Sequence, residues 1–429
     1  MSNIGILGGG LSGLALRCFL EASPEILEKE SECGGLCRSF RYDGFTFDQG
    51  GHIFFSKDQD IMKFAGKVLG NNAGYRRRRN KVYYDKRFVK YPFENGLAGL
   101  SRKDNLECLY YYLNNDNPKP KNFREWIYYT FGDAIAEKYL IPYNEKIWKY
   151  DLKKMGLEWV ERVPKPPAED IIRSSMGVET EGYVHQLNYI YPKRGGIQAL
   201  TDSLFMAKKD AIITEFKVEK ILRNGKKWVV CSGKEEREYD ELISTIPVFD
   251  LIKALGDMPV KVATALKRLR YNSVIVGMLG LDTDKMPDHT AVYCPAKDLP
   301  YHRVCYMSNF SPKNAPPGAF SMITEMTCKH GGTVWKTADK QLIREITGTL
   351  HREQMINKKH LVFGKIFRMK YGYIIYDKNY FKNMAVIKEY IKRKGIHITG
   401  RFAEFEYINM DEAIRRAEVL ADRINRHDR

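Results

Sequence analysis

The apolar pattern begins almost at the first residue. Ile4, Ile6 and Leu7 make a short strand-like run that enters Gly8-Gly9-Gly10-Leu11-Ser12-Gly13, and a helix-like stretch follows to about Leu20. Ile26 and Leu27 form a second short strand that ends at Glu28. Strand, glycine turn, helix, strand and acid in that order predict a Rossmann-like dinucleotide-binding unit. Residues 81–89 alternate like a strand. Residues 104–140 carry Leu109, Tyr112, Phe123, Trp126, Ile127 and Phe131 on one helical face, broken into at least two helices by Pro118 and Pro120. Strand patterns fill residues 212–246, with a turn at Asn224-Gly225 and a strand ended by Pro247, and again residues 274–327. Residues 337–355 predict a helix capped by Thr337. Residues 409–424 predict an amphipathic helix with Ile414, Ala417, Leu420, Ala421 and Ile424 on one side.

Helical and sheet-like blocks interrupt the nucleotide-binding pieces, so the domains are expected to interleave. At 429 residues there is chain enough for two or three cores. No apolar run reaches the roughly 18 residues of a membrane span. Nothing resembling a secretion signal precedes the first strand, which points to a cytoplasmic protein. The eight cysteines are scattered without zinc or redox spacing, so reduced thiols and no metal are expected. The net charge of +17 is spread along the chain, and its one tight run, Arg76-Arg77-Arg78-Arg79, reads as a solvated loop. With no nucleic-acid motif beside it, the charge is better suited to drawing in a polyanionic small molecule.

Several short segments carry candidate chemistry. Gly8, Gly10 and Gly13 let a backbone approach a pyrophosphate at a helix N-terminus, and Glu28 can accept bonds from ribose hydroxyls. Gly34-Gly35-Leu36-Cys37-Arg38-Ser39 follows, with Gly35 and Arg38 suited to lie over a cofactor diphosphate, which favours FAD over NAD. In Asp48-Gln49-Gly50-Gly51-His52, Gly50 and Gly51 permit close approach to a flat ring, with His52 beside it. Arg401, Asn409 and Met410 stand at the start of the final helix, whose N-terminus would stabilise negative charge on a flavin. Arg162, in Trp-Val-Glu-Arg-Val, and Arg303, in Tyr-His-Arg, could clamp a diphosphate; the plainer reading of each is a surface ion pair. The expected fold is α/β: a Rossmann-like FAD-binding domain (1–75, 195–255, 395–429), interleaved with a helical domain (100–180) and an antiparallel β-sheet substrate domain (80–98, 181–194, 256–394).

Segments beyond the glycine motifs resemble the UDP-galactopyranose mutase family, its eukaryotic-type branch more than the shorter bacterial one. Pro142-Tyr143-Asn144-Glu145-Lys146-Ile147-Trp148, with Met155, Trp159 and Glu161-Arg162-Val163, is similar to that family's sugar-and-phosphate segment. Tyr191-Pro192-Lys193-Arg194-Gly195-Gly196 resembles its aromatic-Pro-x-Arg-Gly-Gly loop. Tyr293-Cys294-Pro295, Pro300-Tyr301-His302-Arg303 and Ser308-Asn309-Phe310-Ser311-Pro312 resemble its second arginine segment. Gly372-Tyr373, Gly400-Arg401-Phe402 and Tyr407 resemble its C-terminal aromatic set. The resemblance implies an isomerase that is redox-neutral overall and works through reduced FAD primed by NADH or NADPH. Flavin N5 would attack the anomeric carbon of a nucleotide sugar, expel the nucleoside diphosphate, and let a pyranose reclose as a furanose. It implies that Arg162 and Arg303 hold the diphosphate with Tyr293, Tyr373 and Tyr407, that Arg401 lies near flavin and sugar, and that Asn144 and Trp148 hold the sugar.

Tyr91-Pro92-Phe93-Glu94-Asn95 resembles the family's base-binding segment, with Glu94 where the family carries glutamine. An ionised carboxylate only accepts, which suits the adjacent N–H groups of guanine better than uracil; the plainer reading turns Glu94 to solvent. Gln186 stands where an asparagine is expected near the sugar. On the resemblance alone UDP-galactose is the default substrate, and these departures leave a GDP- or dTDP-linked sugar as the alternative. Two other readings share the glycine motifs and Thr245-Ile246-Pro247: an FAD-dependent amine or protoporphyrinogen-type oxidase, and an inactive flavin-binding scaffold.

Overall fold

The computed structural model describes residues 3–182, 184, 187–208 and 211–427. The architecture is the expected interleaved α/β one. A parallel five-stranded sheet runs in the order His397–Ile398, Glu241–Ser244, Ile4–Leu7, Glu25–Leu27, Ile212–Ile213. Its strands come from both ends and the middle of the chain. Ile4–Leu7 sits at the centre, buried on both faces, as a strand covered by helices must be. The helix Leu11–Phe19 covers it, and the final helix Met410–His427 packs on that helix through Ala413, Ile414, Ala417, Leu420, Ala421 and Ile424, all buried. Gly13 is what allows the first helix so close. A Cβ there would sit 2.1 Å from the carbonyl oxygen of Gly8.

The second layer is a seven-stranded sheet in the order Leu361–Ile375, Arg270–Leu281, Phe320–Cys328, Arg303–Cys305, Ala291–Tyr293, Lys81–Tyr84, Arg87–Lys90. It is antiparallel except between Ala291–Tyr293 and Lys81–Tyr84. The helices Arg102–Leu113, Phe123–Ile135 and Ile141–Trp148 form the third element. Pro118 and Pro120 separate the first two, and Phe123, Trp126, Ile127 and Phe131 are buried.

Three local expectations need correction. Residues 81–89 are not one strand but a hairpin, because Asp85 and Lys86 turn the chain with φ of 47° and 57°. The helix expected at 337–355 runs Asp339–Arg352, and Thr337 does not cap it; its hydroxyl donates to the carbonyl of Thr333 instead. The arginine run is not a solvated loop. Ala73–Arg77 is a strand paired antiparallel with Asn188–Pro192, and that pairing turns Arg78 inward.

Candidate functional site

One cavity of about 1180 Å³ lies between the parallel sheet, the seven-stranded sheet and the helical layer. Single small-molecule pockets span roughly 300–1,000 Å³, so this one has room for more than one ligand. Its first arm passes over the glycine turn. Gly8, Gly10, Leu11 and Ser12 line it. No side chain caps the helix that starts at Leu11, which leaves its first N–H groups to an anion. Glu28 also lines this arm and is 6 % exposed. Its Oε2 accepts from the Gly9 N–H at 2.7 Å and its Oε1 from the Glu30 N–H at 2.9 Å. The acid thus braces the glycine turn, and each oxygen keeps a second lone pair for ribose hydroxyls. Gly35 and Arg38 follow, the latter paired with Glu30 at 3.1 Å. These residues fit the ADP half of a flavin dinucleotide.

Gly50, Gly51, His52, Arg401, Asn409 and Met410 line the next stretch. A Cβ on Gly51 would lie 2.5 Å from Cys305 Sγ, so this position demands glycine. Burial pushes His52 down to about 4, leaving a neutral imidazole whose buried Nδ1 has no partner among the described residues. Buried Arg401 Nε is likewise unpartnered, while its other nitrogens donate to the carbonyls of Ile408 and Gly372. An unsatisfied guanidinium donor and an unsatisfied imidazole nitrogen, beside a glycine shelf and a helix start, suit the polar edge of a flavin ring.

The seven-stranded sheet delivers the third part. Tyr293 lies directly across from Arg303, and Arg303 directly across from Glu325. Cross-strand neighbours share a face, so register alone places phenol, guanidinium and carboxylate in one row along the cavity wall. Arg303 binds Glu325 through Nε at 3.0 Å and Nη2 at 2.7 Å. The fork is occupied, so for the diphosphate expected at Arg303 only Nη1 remains without a bond among the described residues. The pair corrects the surface-pair reading, since Glu325 is 2 % exposed. Burial alone would raise the Glu325 carboxyl; the Arg303 guanidinium and His302 overrule it and hold the group well below the usual range. Glu325 Oε1 also accepts from the Gly51 N–H at 2.7 Å, and Tyr373 Oη lies 3.4 Å from Oε2. Glu325 was missed from the sequence. Its signal was a lone acid in the nine-residue, wholly buried strand Phe320–Cys328.

Aromatic rings close the far side. Trp148, Trp159, Tyr407 and Tyr373 contact one another in a circuit, with centroids 4.4, 4.7, 5.9 and 6.1 Å apart. Arg401 and Arg162 hold their guanidinium carbons 3.8 and 5.0 Å from the Tyr407 ring. Neither has a carboxylate partner among the described residues, so both charges remain available to an anion. Asn144 is engaged within its own helix: Trp148 Nε1 donates to it at 2.9 Å, and its amide donates to Leu140. Its first effect is to orient Trp148.

A second aromatic ladder runs Tyr91, Tyr293, Tyr143, Tyr139, with successive centroids 4.7, 5.5 and 5.5 Å apart. Arg78 and Asn80 donate to Tyr293 Oη at 3.4 and 3.3 Å. Arg78 was hidden in its run of four and could not have been singled out. Phe93 does not reach the cavity; it is wholly buried and stacks on Tyr139 at 5.0 Å. Gly13 is likewise set back, behind Gly8. Glu94, by contrast, lines the cavity at 1 % exposure, so it does not turn to solvent. Burial raises its carboxyl to about 8. Near neutral pH it keeps its proton and offers a donor beside an acceptor, which removes the reason for setting uracil aside. Gln186 lies outside the described residues. No metal-binding cluster and no helix long and apolar enough to cross a membrane occur among the described residues.

Several solved structures share the fold. The structure is similar to that of a reduced UDP-galactopyranose mutase, with a TM-score of 0.88 at 24% identity, covering 99% of this chain and 95% of that one. A protein assigned as a protoporphyrinogen oxidase from an Exiguobacterium species gives 0.77 at 16% identity and covers 99% of each chain. Cyclohexylamine oxidase from Brevibacterium oxydans gives 0.68 at 13% identity, again covering 99% of each. At such identities the likeness is one of fold. The profile of the family described as flavin containing amine oxidoreductase matches residues 20–425, nearly the whole chain, and the protein belongs to that family.

Proposed function

We propose that the protein binds FAD and isomerises a nucleotide sugar from pyranose to furanose, with UDP-galactopyranose as the default substrate and NADH or NADPH as the reductant that primes the flavin. The observation that carries this reading is the joining of two unlike surfaces in one cavity. A dinucleotide cradle runs from Glu28 to Met410, and beyond it arginines and tyrosines converge from separate elements. An oxidase acting on an apolar amine has no use for that second surface.

Reduced FAD supplies a nucleophile, N5, for the anomeric carbon. The remaining chemistry falls to the chain. Arg162, Arg401 and the free Nη1 of Arg303 bind the diphosphate and stabilise the charge that grows on it as it leaves. Tyr373 stays a phenol, because burial raises it well above its ordinary value, and it can donate to the same oxygens. Tyr293 and Tyr407 line the same cavity. The circuit of Trp148, Trp159, Tyr373 and Tyr407 covers the sugar and excludes water while the ring is open. Neutral His52 offers Nδ1 as a hydrogen-bonding group beside the flavin.

The test is direct. The flavin is reduced anaerobically, UDP-galactopyranose is added, and products are separated chromatographically. A furanose product with no net change in flavin redox state is expected. The second reading, an amine or protoporphyrinogen-type oxidase, draws on the family match and on Thr245-Ile246-Pro247 lining the cavity. Hydrogen peroxide release with an amine, and no furanose from any sugar nucleotide, would establish it instead.

A further inference from the structure

Glu94 is a buried acid that no side chain among the described residues answers. It is 1 % exposed, both carboxyl oxygens lack a partner among the described residues, and it lines the cavity with Tyr91, Tyr139 and Tyr143 of the ladder. The titratable groups whose fields couple to it are Tyr112 and Tyr139, both phenols pushed upward by burial and uncharged near neutral pH. Charged groups on the other elements packed around residues 93–95 are engaged elsewhere. Lys90 donates to Thr180, Asp133 accepts from Asn117, Asp170 accepts from Gly182, and Arg173 pairs with Glu169. Arg124 pairs with Glu145, Glu125 accepts from Lys121, and Arg87 is exposed. A carboxylate without water or cation is expensive, so the uncharged acid is the resting form. Flat aromatic walls and an unanswered donor–acceptor edge describe a seat for a heterocycle.

Resting on the nucleotide-sugar reading above, we infer that Glu94 selects the base of the substrate through its own protonation. As an uncharged acid it takes a ring edge that presents an N–H beside a carbonyl, and ionisation destroys the match. The acid O–H donates to the ring carbonyl, and the acid C=O accepts from the ring N–H. Uracil and thymine carry that edge, and guanine carries it too at N1–H and O6, so the uncharged acid admits all three. Once ionised, Glu94 only accepts, and the pairing that suits it is the N–H pair of guanine. Base preference in this chain is therefore a function of pH, which an amide at this position could not provide.

The holoprotein and a Glu94→Gln variant with bound flavin are titrated with UDP and with GDP between about pH 6 and pH 10 by calorimetry. The ligands' own titrations are common to both proteins and cancel in the ratio. The expected result is that UDP affinity of the wild type falls relative to the variant by about tenfold per pH unit once Glu94 ionises. In wild type alone, repeating the titration in buffers of different ionisation heat above that transition should show close to one proton taken up per UDP bound. This second measurement holds even where the variant does not fold. A constant ratio across the range with no proton uptake overturns the role of Glu94 and leaves the nucleotide-sugar reading standing. GDP affinity that fails to gain on UDP affinity as pH rises through that transition also overturns it. Failure of either nucleotide to bind at any pH, with flavin retained, removes both.

Discussion

Arg162 and Arg303 bring the same charge to the same cavity but are held differently. Arg162 rests on Tyr407 and Trp159 with no acid partner among the described residues, so removing it disturbs little else. Arg162→Ala should weaken UDP-sugar binding by about 2–4 kcal/mol while flavin content and thermal midpoint stay near wild type. Equal affinity in the two proteins would exclude Arg162 as a phosphate ligand. Arg303 is locked to buried Glu325, so Arg303→Ala leaves a carboxylate stranded. It should cost about 3–5 kcal/mol in denaturant unfolding beside any binding defect, and an unchanged midpoint would mean the pair is solvated. Glu94 affects stability with a definite sign. Its folded value, about 8, lies above its ordinary 4.5, so the native state holds the proton more tightly. The stability this contributes is complete below pH 4.5 and is lost as pH rises through 8. Glu94→Gln should therefore gain on wild type by at most about 5 kcal/mol between pH 5 and pH 9. Parallel stability curves would place the carboxyl in contact with solvent or with a cation.

Among elements, the contact between the first strand and the first helix is the tightest constraint on the cradle. Gly13→Ala forces a methyl into the Gly8 carbonyl and must push the helix off the sheet. Overpacking of this kind costs about 1–3 kcal/mol. The expected outcome is protein purified without flavin, read from its visible absorbance; a fully loaded variant would show that the cradle tolerates the shift. This unit was legible because all its signals are local: a strand, a glycine turn, a helix start and an acid within some 25 residues. The amphipathic final helix was legible for the same reason, its buried side recurring at helical spacing. The hairpin at 81–90 was not, because Asp85 and Lys86 are ordinary residues in left-handed backbone, without the glycine that normally marks such a turn. The arginine run was misread because charge dominates its composition, whereas its backbone is committed to pairing with Asn188–Pro192.

At the scale of the whole molecule, the excess of 17 positive charges acts on encounter rather than on fold. The cavity concentrates that field on its anion-facing side with Arg78, Arg162 and Arg401. Raising ionic strength from about 0.01 to 1 M shortens the screening length from about 30 to about 3 Å. Stopped-flow association of a UDP-sugar should slow at least about tenfold over that range, with a much smaller change in dissociation. Equal slowing for an uncharged sugar would show that salt acts on the protein's conformation instead.

Amino-acid order by itself determined the α/β class, the strand–glycine–helix cradle and the positions of Arg162, Arg303 and Glu94, because those features are written in neighbouring residues or in residue type. Tertiary structure alone decided what the side chains face. Sheet register set Tyr293, Arg303 and Glu325 in a row although 32 positions separate the first from the last. Packing then enclosed Glu94 with no cationic partner among the described residues. Charge state and partnership depend on which distant segments arrive beside a group, and local sequence carries no record of that arrival.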